Sequence, residues 1–148
     1  MERRLAAGAS RFLLTSIKYD WKIIVAVLLQ KYQNQPNIIN QIMWEAINNI
    51  KLWLVKYMIN NNYININEEI MGPPDIKIHY SEESRLINWA IEKLSSQYSF
   101  RNAPNKERIV ETSQLISFLL DHKDLETTSA YPAFDEYFGE HKRLDKLK

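Results

Sequence analysis

The apolar positions of this chain fall in short sets at helical spacing, separated by amide-rich or charged breaks. Over residues 11–32, Phe12, Leu13 and Ile17 form one set and Ile23, Ile24, Val27 and Leu28 a second, at the intervals that line one side of a 3.6-residue turn. Tyr19-Asp20 lies between them as a tight turn. Gln33-Asn34-Gln35-Pro36-Asn37 closes the segment, because proline and competing amide side chains stop a helix. Two antiparallel helices are expected there. Residues 38–59 repeat the pattern, with Ile39, Ile42, Met43, Ala46 and Ile47, then Leu52, Val55, Tyr57, Met58 and Ile59, and Asn48-Asn49 as the break. Ser16 and Ala46 hold like positions in the first helices, and Leu28 and Met58 in the second, each pair 30 residues apart. An equal offset is the mark of an internal repeat.

After Asn67 the pattern changes. Gly72-Pro73-Pro74 forbids helix, and Ile76, Ile78 and Tyr80 alternate with polar residues, so residues 68–80 are expected as a loop with a short strand or hairpin arm. Ser81 followed by Glu82 and Glu83 supplies a helix start, a capping hydroxyl ahead of first-turn acids. Leu86, Ile87, Trp89, Ala90, Ile91 and Leu94 carry that helix. A polar insert over residues 95–105 precedes a further amphipathic helix built on Ile109, Leu115, Ile116, Phe118, Leu119 and Leu120, ending near His122-Lys123-Asp124. Residues 127–148 are expected as a C-terminal cap and tail, with Tyr131, Phe134, Tyr137 and Phe138 covering the last helix pair, and residues 1–10 as a flexible start. Residues 1–148 thus read as a single, mostly α domain.

Three stretches give this pattern a family likeness. Met43-Trp44-Glu45-Ala46-Ile47, then Leu54-Val55-Lys56-Tyr57-Met58-Ile59, then Asn65-Ile66-Asn67 resembles one ankyrin repeat, with its two helices and the turn after them. Ile87-Asn88-Trp89-Ala90-Ile91 and Leu115-Ile116-Ser117-Phe118-Leu119-Leu120 resemble the two helices again, and residues 13–17 with 24–29 form a fainter copy. The chain is therefore similar to a degenerate ankyrin-repeat family, with two to three divergent repeats. The resemblance implies a short helix-pair solenoid with a loop or hairpin arm and a C-terminal cap, whose units bury their core by stacking. It departs from the family in lacking the Thr-Pro entry to the first helix, in placing Asn or Asp where tight glycine turns belong, and in its 30-residue offset, against about 33 in ankyrin repeats. A unique helical bundle is the alternative. Such repeats act by binding partners, not by chemistry.

Composition narrows the functional classes. A chain of 148 residues with 45% hydrophobic and 25% charged residues has the size and balance of one globular domain. A formal net charge of +1 gives no global field toward nucleic acid or an anionic membrane. The absence of cysteine removes disulfides, thiolate metal sites and thiol nucleophiles. The most apolar run, residues 23–29, is far short of the roughly 20 residues of a membrane span. The basic and small residues at the start make a poor signal peptide, since Arg11, Lys18 and Asp20 interrupt the apolar stretch behind them. A cytoplasmic protein, or one acting in a host cytoplasm, is expected. Runs such as Asn60-Asn61-Asn62-Tyr63-Ile64-Asn65-Ile66-Asn67 hint at an AT-rich source, an intracellular bacterium or a large DNA virus.

Candidate chemistry is sparse. His79, His122 and His141 stand far apart with no metal-ligand spacing. Acid pairs such as Glu68-Glu69 are adjacent and point apart on a helix, and Gly72 precedes two prolines that lack amide donors, so no phosphate loop forms. No catalytic residue, metal or cofactor is expected. Lys51-Leu52-Trp53 could stack on bases, but its spacing is that of an amphipathic helix. The expected partner is another protein, and the alternative role is that of a structural or regulatory subunit in a homo-oligomer or larger assembly. Candidate partner contacts are Trp21, Trp44, Trp53, Asn62, Tyr63, Met71, His79 and Tyr80, because tryptophan and tyrosine dominate interface hot spots and the others sit in turns. Trp21 and Trp53 are expected at the surface or rim, Trp44 partly exposed, and Trp89 in the core.

Overall fold

The computed structural model describes residues 7–72, 84–97 and 105–126. Six helices form among them: α1 (Ala7–Lys18), α2 (Lys22–Lys31), α3 (Pro36–Asn48), α4 (Leu52–Asn60), α5 (Leu86–Ser96) and α6 (Lys106–Asp121). No strand occurs among the described residues; an isolated antiparallel bridge pairs Glu69 with Arg85. The protein is mostly helical. The sequence pattern suggests one domain, whereas the contacts group into two compact units. The first holds α1 to α4 with residues 70–72, the second residues 66–69 with α5 and α6.

In the first unit α1 packs on α2, α3 on α4, and α1 on α3. Leu13, Ser16, Ile17, Val25 and Leu29 are buried, and so are Met43, Ala46, Ile47, Val55 and Ile59, each 30 residues later. The small Ser16 and Ala46 are both fully buried; the Ser16 hydroxyl is satisfied by donating to Phe12 O at 2.8 Å. Both helix pairs also turn the same way. Trp21 N donates to Ser16 O and Asp20 N to Ile17 O; Lys51 N donates to Ala46 O and Ile50 N to Ile47 O. These are Schellman ends, which need a left-handed residue between helix and exit. Asp20 (φ 59°) and Ile50 (φ 55°) supply it, and Asn62 (φ 60°) does so after α4, where Tyr63 N reaches Met58 O.

Ile50 is a departure from expectation. The sequence places the turn at Asn48-Asn49, but α3 runs through Asn48 and the left-handed residue is a β-branched one, the class least tolerant of positive φ. Its side chain is 4% exposed, so burial offsets the strain that a glycine would avoid. The start of the chain differs too: Ala7–Ser10 belong to α1, as the helix propensity of alanine favours, leaving residues 1–6 outside the described set. The expected arm over residues 73–80, including His79 and Tyr80, and the capping Ser81 also lie outside it, as does the C-terminal cap over 127–148.

In the second unit α5 packs on α6 through Leu86, Ile87, Trp89, Ala90 and Ile91 against Leu115, Ile116, Leu119 and Leu120, all buried. The helix begins at Leu86 with Arg85 as N-cap, not at Ser81. Asn105 caps α6, its side-chain oxygen accepting from Glu107 N and Arg108 N, the arrangement expected of an amide at that position.

Candidate functional site

Among the described residues the strongest concentration of exposed apolar side chains lies on the first helix pair. Phe12, Tyr19 and Trp21 form a row of aromatic contacts, with Phe12–Trp21 ring centroids 6.4 Å and Tyr19–Trp21 centroids 6.2 Å apart. Ile23 and Val27, one helical turn apart on α2, are 82% and 58% exposed. Lys18 stacks its ammonium over the Tyr19 ring at 5.7 Å. Arg11, Lys18 and Lys22 are exposed beside these residues. Asp20 is the single acid among residues 7–35, against Arg11, Lys18, Lys22 and Lys31.

That acid is engaged by the second helix pair. Trp53 Nε1 donates to Asp20 Oδ1 at 2.7 Å, Lys51 Nζ lies 3.1 Å from the same oxygen, and it also donates to Lys18 O at 3.1 Å. Lys22 Nζ sits 5.3 Å from the centroid of the Trp53 ring, a cation over an aromatic face. Gln41 Nε2 donates to Ser10 Oγ at 3.2 Å. In the hydrogen bonds, donors of the second pair meet acceptors of the first, while the Lys22 ammonium of the first pair caps the Trp53 ring of the second.

The expected contact residues separate into groups. Trp21 is 43% exposed at the N-cap of α2, and Met71 is 79% exposed, its backbone held by the Asn40 amide through N–H and C=O at 2.9 Å each. Asn62 is exposed. Tyr63 is half-buried and stacks on Tyr57 at 6.1 Å; burial and then the neighbouring Tyr57 push its phenol up from 10.0. Trp53 is half-buried with its indole N–H on Asp20. Trp44 is 9% exposed and lies in the core, which corrects the expectation of a partly exposed ring: an amphipathic pattern gives the side of a helix, not how deeply a neighbour covers it. Trp89 is buried. The structure thus brings Trp21 and Trp53 to the same turn region around Asp20, and places Asn62, Tyr63 and Met71 elsewhere in the first unit.

The sequence pattern misses one feature of the second unit. Arg85, 6% exposed, donates from Nη1 to Glu126 O at 3.0 Å and to Asn67 Oδ1 at 3.4 Å. The Asn67 amide in turn donates to Asp124 O at 2.7 Å and accepts from Glu126 N at 2.8 Å. These bonds tie the end of α6 to the stretch after α4. A lone arginine directly before Leu86-Ile87 is the available signal. The knot satisfies the buried Arg85 guanidinium and leaves His122 to a local role, its ring edge-on to Phe118 at 6.1 Å and Nδ1 accepting from Asp124 N.

Among the described residues no group of three or more His, Cys, Asp or Glu is placed to hold a metal ion, and no helix is long and apolar enough to cross a membrane. Burial raises the Glu45 carboxyl above 4.5, an effect its bond from Asn49 opposes, and burial with the nearby Arg108 lowers the Lys93 ammonium below 10.5. The chain matches no protein-family model, no curated protein and no solved structure at a significant level.

Proposed function

We propose that this chain is a protein–protein interaction module built from ankyrin-like helix pairs, acting by binding another protein and not by catalysis. The observation that carries this is the reuse of one helix-turn-helix unit at a 30-residue interval, with like buried positions and like Schellman ends in both copies. Units of that kind bury core by stacking and keep their turns and outer faces for recognition. The exposed Phe12, Tyr19 and Trp21 at the first turn fit that use, since clustered aromatics supply large contact area with few rotamers to order. The richness in isoleucine and asparagine extends the proposal to a host-interaction factor of an intracellular bacterium or large DNA virus.

Crosslinking of the tagged full chain in its native cellular setting, coupled to mass spectrometry, tests this. One protein enriched over an unrelated tagged chain, with crosslinks to the first unit or to residues 71–80, is the expected result. Enrichment of nothing but the chain itself would overturn it in favour of a homo-oligomeric subunit.

A further inference from the structure

The molecule contains its own template for how a helix pair of this kind is covered. The second pair meets the first through Gln41, Lys51 and Trp53, all donating to acceptors on α1 or in the turn after it. Thirty residues earlier stand Arg11, Trp21 and Ile23, and all three are exposed. The same holds for the apolar positions around them. Ile42 is fully buried where Phe12 is 46% exposed, and Tyr57 is half-buried where Val27 is exposed. The first pair therefore presents, unoccupied among the described residues, the face by which the second pair receives a neighbour.

Charge then selects the occupant. In the internal contact the covering element supplies acceptors, the Asp20 carboxylate, the Lys18 carbonyl and the Ser10 hydroxyl, while the covered element supplies donors. The open face keeps that polarity, with the Arg11 guanidinium and the Trp21 indole N–H, both donors; the Lys22 ammonium lies over the Trp53 ring of the second pair and is not part of that face. A second copy of the chain packed on this face by two-fold symmetry would bring donor against donor, since Asp20, the single acid among residues 7–35, is already held by Lys51 and Trp53. We infer that the face formed by Arg11, Phe12, Trp21, Ile23 and Val27 is the docking surface for an amphipathic helix of a partner protein. That helix carries an apolar stripe flanked by carboxylates. This rests on the reading of the chain as a protein-binding module and assigns that module its surface and the chemistry of its partner. The apolar stripe covers Phe12, Ile23 and Val27, and the carboxylates meet Arg11 and the Trp21 indole N–H as Asp20 meets Lys51 and Trp53.

The test uses the full-length chain and a fluorescein-labelled synthetic helical peptide with a Leu/Ile stripe and Glu flanks. A counterpart with Lys in place of Glu and a sequence-scrambled peptide serve as controls, all read by anisotropy. The Glu peptide is expected to bind saturably and the Lys and scrambled peptides to bind at least about tenfold more weakly. Ile23→Glu is expected to weaken the Glu peptide by about tenfold or more, and Arg11→Glu by about three- to tenfold, while Val110→Glu, on the exposed side of α6, changes nothing. Because Ile23 and Val110 are both exposed, unchanged thermal unfolding is expected to confirm that these variants fold. Equal binding of all three peptides, or an undiminished affinity in Ile23→Glu, overturns the surface assignment. Two other outcomes overturn the acidic-helix partner: dimerisation in sedimentation runs abolished by Ile23→Glu, and binding to phosphatidylserine vesicles but not to the peptide. A partner captured in cells whose binding survives Ile23→Glu defeats this inference alone; absence of any partner, with the peptide still bound as expected, defeats the broader reading alone.

Discussion

The two helix pairs of the first unit share a sequence pattern, a register and a turn, yet they live in different surroundings. At several matched positions α3–α4 is buried where α1–α2 is not: Ile42 against the exposed Phe12, and Met58 and Leu54 against the half-buried Leu28 and Ile24. A helix pair's pattern dictates which residues can form core, and its neighbours decide which of them do. The same apolar side chain is thus structural in one copy and available for recognition in the other.

The largest way to break that equivalence is truncation at matched positions. Met58→Ala is expected to cost about 2–5 kcal/mol in denaturant unfolding, from lost transfer energy and the cavity left behind. Leu28→Ala, at the like position but half-buried, is expected to cost less than half as much. Equal losses would mean that the open face of α1–α2 is covered in solution.

The turns give the next largest difference. Asp20 and Ile50 share a left-handed backbone, but only Ile50 trades strain for burial. Removing a left-handed β-branched residue relieves about 1–2 kcal/mol, while emptying a buried isoleucine site costs more than that. Ile50→Gly is therefore expected to destabilise by a net of about 1–3 kcal/mol, and Asn62→Gly, at an exposed left-handed position, to stabilise by a few tenths. If Ile50→Gly stabilises instead, strain and not burial dominates that turn.

Asp20→Asn tests the polar contact between the pairs. The substitution keeps a residue that tolerates positive φ and removes the charge facing Lys51 and the strong acceptor for Trp53. A loss of about 1 kcal/mol is expected, since the ion pair is partly exposed and the indole bond survives in weaker form. Tryptophan fluorescence should shift with it, because the Trp53 indole N–H loses its carboxylate.

The smallest expected effect depends on pH and again separates the copies. Glu45 on α3 occupies the position of Thr15 on α1, and burial raises its carboxyl above 4.5. A raised folded-state value means that the folded state holds the proton more tightly, so this group favours folding at low pH. That contribution is lost as pH rises from 4.5 through the raised value. Glu45→Gln, which keeps an acceptor for Asn49, is expected to be slightly more stable than the parent at pH 7 and equal to it below about pH 4. Parallel stability curves across that window would show that Glu45 is solvated.

Much of the helical layout is legible in the sequence. The 30-residue offset of Ser16 to Ala46 and Leu28 to Met58 marks two units that do share a register, and the turn at Tyr19-Asp20 is readable because aspartate tolerates the left-handed region. Ile50 is not, since its own preference opposes the conformation that its neighbours impose. Exposure is the least legible property. Phe12 and Ile42, or Trp21 and Trp53, look alike along the chain, and only the packing of one pair on the other separates a covered residue from an open one. Arg85 escapes a reading by pattern because its partners, Asn67 and Glu126, lie 18 and 41 residues away.

The chain on either side of residues 73–83 is held by specific ties. Asn40 grips the Met71 peptide from both sides as a neighbouring strand would, while Glu69 bridges to Arg85 and its carboxylate accepts from Ser84 N at 3.3 Å. Each tie closes within a single compact unit, so the Asn40–Met71 clamp and the Glu69–Arg85 bridge are two separate fastenings, and either can be cut by substitution without touching the residues of the other.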